Sequence, residues 1–212
     1  MNKVYILIGV LAFVLGIVIA QNFVPASRSG GADDINNTAG QSSSVNAAPT
    51  IPAGIGGNFT LYQGDQPVQL SDFKDKLVVM YFGFTSCPDV CPTTLVVISS
   101  ALKELSASEL DQIQPIFVSV DPERDQGDQL MAYATHFHPN FIGITGTPEE
   151  VQKVANQYGA FFIKTKSDSA MGYMVEHTSG TYLVRDSGKQ VTTLPHEMTK
   201  SSLLEAIRAD LQ

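Results

Sequence analysis

Cys87 and Cys91 are the only two thiols of a 212-residue chain, and they stand four positions apart in Ser86-Cys87-Pro88-Asp89-Val90-Cys91-Pro92. Two thiolates at that spacing can converge on one soft metal ion, copper(I) or zinc, for which imidazole is the usual third ligand. They can also close on each other as a disulfide when oxidised, and a packed structural pair is the third reading of the motif alone. Of the four histidines, His177 lies between two strand-like segments, where it is free to act as a ligand. His136 and His138 fall at the end of a helical pattern, where a cation suits the helix dipole. His196, flanked by Pro195 and Glu197, reads as a surface residue. Met171 and Met174 bring thioether sulfur close before His177, although methionine more often fills gaps in a core. The run Asp121-Pro122-Glu123-Arg124-Asp125 reads equally well as a turn of exposed ion pairs and as a functional cluster, either support for a metal-binding loop or a partner-docking surface.

The elements around the cysteines explain how they are presented. Residues 77–84 (LVVMYFGF) form a near-continuous apolar run, which predicts a strand buried on both faces. Beyond the cysteines, Leu95, Ile98, Leu102 and Leu105 recur at helical spacing, so the chain passes from strand to thiol turn to helix. Pro92 is expected at the first helical position, where its missing N–H costs nothing, and Cys91 at about the N-cap. A helix N-terminus favours thiolate over thiol, so both sulfurs are expected to lose their protons readily. Tyr81 and Phe84 are expected to pack beneath the turn.

Further along, segments 58–62 and 67–70 read as a hairpin about Gly64-Asp65. Strands are expected at 113–120, 141–145 and, more briefly, 161–164; helices at 126–137, stopped by Pro139, and 148–158, stopped by Gly159. Segments 173–175 and 181–184 flank a loop that holds His177, with 190–194 as an edge strand and 201–211 as a closing amphipathic helix. Strands alternating with helices, followed by antiparallel hairpins, describe an α/β sandwich with a mixed central sheet. Ligands in such sheets gather at the carboxyl ends of the strands, and the cysteine turn and Asp121 both fall there.

A formal net charge of -8 and the lack of a basic run argue against a nucleic-acid partner. Residues 4–20 carry no charge, which predicts an uncleaved membrane anchor over residues 1–24, with a signal peptide cut after Val18-Ile19-Ala20 as the alternative. Residues 25–54, rich in Ser, Gly, Ala and Asn, predict a flexible linker reaching a few tens of ångströms. Residues 55–212 are the folded domain. It is expected on the far side of the inner membrane, in a bacterium the periplasm, where a cysteine pair can cycle between oxidised and reduced states.

Taken together, Ser86-Cys87-Pro88-Asp89-Val90-Cys91-Pro92, Val120-Asp121-Pro122-Glu123-Arg124-Asp125 and Val175-Glu176-His177-Thr178 resemble the three signatures of the Sco (SenC/PrrC) family, in order and spacing. The resemblance covers residues 55–212. It implies a thioredoxin-like domain that binds one copper ion through Cys87, Cys91 and His177. It further implies a metallochaperone role in assembly of the dinuclear copper site of cytochrome c oxidase. The partners implied are the oxidase's copper-bearing subunit, other copper chaperones and thioredoxin-like reductants. An alternative activity goes with the same family: thiol-disulfide reduction of the oxidase's copper-site cysteines, in which Cys87 and Cys91 would be catalytic. A peroxidase of thioredoxin fold is a weaker reading, because Thr85-Ser86-Cys87 imitates a peroxidatic turn only loosely. Gln126, Glu176 and Arg185-Asp186 depart from the family pattern without touching an implied ligand.

Overall fold

Gly64 reverses the chain between β1 (Thr60–Gln63) and β2 (Gln66–Gln69) at a φ of 57°, which side-chain-bearing residues rarely adopt. The computed structural model describes residues 55–168, 172–185 and 188–212. The anchor and linker expected over residues 1–54 lie outside the described residues, as does Met171. Among the described residues, no helix is long and apolar enough to cross a membrane.

A 3-10 turn, Leu70–Phe73, delivers the chain to β3 (Leu77–Gly83). Then come α1 (Val90–Leu102), the short α2 (Ala107–Leu110), β4 (Ile113–Ser119), α3 (Gly127–Phe137), β5 (Ile142–Ile144) and α4 (Pro148–Gln157). A hairpin of β6 (Phe162–Lys166) and β7 (Tyr173–His177) follows, then β8 (Thr181–Arg185), β9 (Lys189–Leu194) and α5 (Lys200–Asp210). The central sheet has the order β5-β4-β3-β8-β9; β3, β4 and β5 run parallel, and β8 and β9 are antiparallel to their neighbours. This is the mixed α/β architecture the pattern predicts, with β9 at the edge. Every residue of β3 is buried, as a strand covered on both faces requires.

Two boundaries differ from the sequence expectation. α1 begins at Val90 with Asp89 as N-cap, not at Pro92. Proline is tolerated there as the third helical residue, because N–H groups of the first turn have no intrahelical acceptor anyway. Cys91 therefore lies inside the first turn rather than at the cap. His177, expected in a loop, is the last residue of β7 and pairs with Phe162. The short α2 escaped periodicity because it buries no residue, yet its signal is local: Ser106 and Glu109 form a reciprocal capping box.

Candidate metal centre

β3 ends at Gly83, and the turn after it carries Cys87 back over the start of α1. Cys87 N–H donates to the Phe84 carbonyl at 3.2 Å. The N–H of Cys91, in the first turn of α1, donates to Cys87 Sγ at 3.4 Å. That bond gives the helix N-terminus its expected effect on Cys87, a stabilised thiolate. From the far end of the chain, β7 brings His177 Nε2 to 3.3 Å from Cys91 Sγ. One donor atom each from Cys87, Cys91 and His177 lies within 4.8 Å of the others.

The imidazole is oriented for ligation. His177 Nδ1 stands 3.0 Å from the Thr178 carbonyl. A carbonyl only accepts, so Nδ1 carries the proton and Nε2 turns its lone pair toward the sulfurs. Phe84 and Tyr81, both buried, meet the ring edge-on with centroids at 5.7 and 6.2 Å, so the aromatic floor expected beneath the turn is present.

The two sulfurs are electrostatically unequal, which corrects the expectation that both ionise readily. A hydrogen bond from the Cys91 side chain lowers Cys87 to about 4 against the penalty of burial; the backbone of Asp89 and Cys91 adds to the effect. Cys91 is driven up, by its hydrogen bond to Cys87, by burial and by the neighbouring negative charge. Two adjacent anions in a half-dry site cannot both persist without a cation, so the pair holds one thiolate and one shared proton. With its pKa lowered, Cys87 is thiolate at every pH above about 4. Its alkylation by iodoacetamide should stay flat from pH 7 to about 5, then fall about tenfold per pH unit below 4. A tenfold fall already between pH 8 and 7 would refute this ionisation order.

Gly83 is required by close approach. A Cβ there would stand 2.9 Å from both Cys91 Sγ and Phe117 Cε2. Gly83→Ala should cost about 1–3 kcal/mol of stability and displace the Cys91 sulfur, read as a lower denaturant midpoint and weaker metal binding. An unchanged midpoint would contradict the packing.

The charged run after β4 supports the site rather than forming an exposed turn: Asp121 and Asp125 are fully buried. Asp125 holds the cysteine turn, accepting from Thr85 N at 2.7 Å, Thr85 Oγ1 at 2.6 Å and Ser119 Oγ at 2.6 Å. Asp121 holds the histidine hairpin, accepting from Tyr173 Oη at 2.7 Å and pairing with Arg124 Nε. The Arg124 guanidinium lies 4.0 Å from the centre of the Tyr173 ring and donates to the Tyr173 carbonyl at 3.3 Å. Lys164 on β6 reaches Glu123 at 2.7 Å, which lowers the Glu123 pKa, but this exposed pair adds little stability. One loop thus ties the cysteine turn and the β6–β7 hairpin to each other.

The remaining candidates stand apart. Met174 is one residue out of phase with Val175 and His177 along β7, so it points to the opposite face of the hairpin from the imidazole. His136 is exposed at the end of α3. His138, buried just beyond that helix, accepts from Asn140 N–H at 3.2 Å. Burial and the charge of Lys103 push its pKa down, so it serves as a neutral acceptor and not as the cation expected there. His196 pairs at the surface with Glu197 at 2.8 Å. Thr85, Ser119 and Tyr173 escaped the sequence reading, because their roles depend on partners far along the chain.

Comparison with known proteins follows the same outline. A family model described as SCO1/SenC matches residues 47–212. The Arabidopsis thaliana mitochondrial protein SCO1 homolog 1 is 38% identical over 154 residues, 72% of this chain; the chain spans 45% of that relative's length. The solution structure of apo Sco1 from Thermus thermophilus superposes with a TM-score of 0.70 at 36% identity, covering 76% of this chain and 95% of that one. The crystal structure of Arabidopsis thaliana ScoI with copper bound has a TM-score of 0.67 at 35% identity, covering 74% and 98% respectively.

Proposed function

The chain belongs to the SCO1/SenC family, and from that premise we propose that it is a copper metallochaperone that carries one copper ion on Cys87, Cys91 and His177. The observation that carries the reading is the meeting of two sulfurs and an unprotonated imidazole nitrogen within 4.8 Å. That donor set suits a soft ion. The buried carboxylates nearby, Asp121 and Asp125, are already engaged by other side chains, so neither competes as an oxygen ligand.

Copper is the cargo, and the residues divide the work of holding and releasing it. Cys91, fully buried, anchors; Cys87 and His177, each half-buried, face the entry. Binding displaces the proton that Cys91 retains, which makes loading pH-dependent. A three-coordinate site leaves room for an incoming thiolate, so release proceeds by ligand exchange, with the exposed ligands yielding first. The recipient in this reading is the copper-bearing subunit of cytochrome c oxidase. Residues 1–24 tether the domain to the inner membrane, and residues 25–54 give it reach on the periplasmic side. The reduced protein should bind one copper per chain after gel filtration, and the Cys87→Ser, Cys91→Ser double variant none. Equal copper on both would sink the proposal.

One observation favours a second activity at the same site. Cys87 is half-exposed with its thiol lowered to about 4, and Cys91 is buried and protonated, the arrangement of an attacking and a resolving cysteine. Cys87 thiolate would attack a target disulfide and release one target thiolate, which takes up the Cys91 proton. Cys91 sulfur would then displace the second target thiolate from Cys87, leaving the chain oxidised by two electrons and the target reduced by two. His177 is dispensable for that exchange.

A further inference from the structure

Among the buried hydroxyls that have no hydrogen-bond partner within the described residues, two stand near one sulfur, that of Cys91: Tyr81 Oη and Thr94 Oγ1. Tyr81 lies on β3 directly below the cysteine turn and is fully buried; Thr94, on α1 one turn beyond Cys91, is equally enclosed. The Tyr81 ring edge and Cys91 Sγ converge on one point: a Cβ built on Gly83 would lie 3.0 Å from Tyr81 Cε1 and 2.9 Å from the sulfur. Tyr81 Oη, next along the ring from that edge, is close enough to both Cys91 and Thr94 to interact with each. A buried hydroxyl left unpaired is costly, and a native structure keeps one where another state supplies the partner.

We propose that Tyr81 is a positioning residue for the metal-bound form, donating its phenolic O–H to the Cys91 sulfur while Thr94 donates in turn to Tyr81 Oη. A metal-bound cysteine is a thiolate, a strong acceptor with no proton of its own. Sulfur in that state needs a donor on the side away from the ion, and Tyr81 offers a hydroxyl beside the sulfur with a second hydroxyl, Thr94 Oγ1, within its reach. A short relay from Thr94 to Tyr81 to Cys91 would then satisfy both of these orphan hydroxyls at once. The ring also touches His177 edge-on and Phe117 face-on at 6.3 Å, so its orientation is fixed by packing and the hydroxyl has little freedom to turn elsewhere. Hydrogen bonds to a coordinating sulfur tune both affinity and electronic structure. This inference rests on the copper reading given above.

The test is Tyr81→Phe in the full chain, with Thr94→Val beside it. The probe is copper alone, as copper(I) for affinity and copper(II) for the thiolate-to-copper absorption band. Loss of the donor should weaken copper(I) binding about tenfold and move the copper(II) band to longer wavelength, because the sulfur lone pair rises in energy. Thr94→Val should shift both in the same direction and by less. Thermal stability of the metal-free protein should not fall, since the substitution removes an unpaired hydroxyl; a merely structural role would lower it and leave the band in place. A wild-type chain that binds copper, with Tyr81→Phe matching it in affinity and band, would overturn the relay alone. A wild-type chain that binds no copper would overturn the copper reading itself.

Discussion

His177→Ala lowers copper(I) affinity by about 100-fold, the upper end of what losing even an outer-shell partner of a metal ligand costs, and leaves the thiol-disulfide chemistry of the cysteine pair intact. Only the two sulfurs remain of the three donors that meet within 4.8 Å. A two-sulfur site would still hold copper, but without the third donor it would surrender the ion to any competing thiol. The side chain is half-buried and its ring contacts are edge-on to Tyr81 and Phe84. The fold should therefore lose about 1 kcal/mol or less. Competition against a chromophoric copper(I) chelator measures the first effect, and exchange with glutathione disulfide the second. Unchanged copper affinity would remove the imidazole from the site; lost disulfide exchange would instead make His177 part of a redox mechanism.

The largest effect on the fold should come from Asp125→Ala. Thr85 N, Thr85 Oγ1 and Ser119 Oγ all donate to this fully buried carboxylate at 2.6 to 2.7 Å. Removing it strands three donors where water does not reach, a loss of about 3–5 kcal/mol. For a domain of this size each kcal/mol shifts Tm by about 2–4 °C, so Tm should drop by about 10 °C. Thr85 is two residues before Cys87, and its release frees the cysteine turn, so copper affinity falls as well. Asp125→Asn, which keeps an acceptor oxygen, should recover part of both losses. A variant as stable as the wild type would show that the carboxylate does not fasten the turn.

How far the sequence discloses this arrangement depends on how local each signal is. The strand at 77–84 and the helix after the cysteines follow from apolar periodicity, and β3 and α1 lie there. The mixed sheet follows from strands that first alternate with helices and then pair as hairpins. The pairing of His177 with the cysteines, 86 residues from Cys91, is not written in any local pattern; only the resemblance of three separated motifs to one family joined them. The same distance hid the fastenings: Thr85 is 40 residues from Asp125, and Asp121 is 52 from Tyr173. An aspartate at the end of a buried strand is the one hint that such a carboxylate turns inward. The inequality of the sulfurs was hidden for another reason. Helix position bears on each cysteine separately, whereas the shared proton belongs to the pair and depends on a separation of sulfurs that spacing does not fix.

X-ray absorption at the copper edge of the reduced, copper-loaded protein tests the central claim most directly. A shell of two sulfurs and one nitrogen, with the nitrogen lost in His177→Ala, is the result expected from the site formed by Cys87, Cys91 and His177. A shell of sulfur alone, or one unchanged by removing the imidazole, would contradict it.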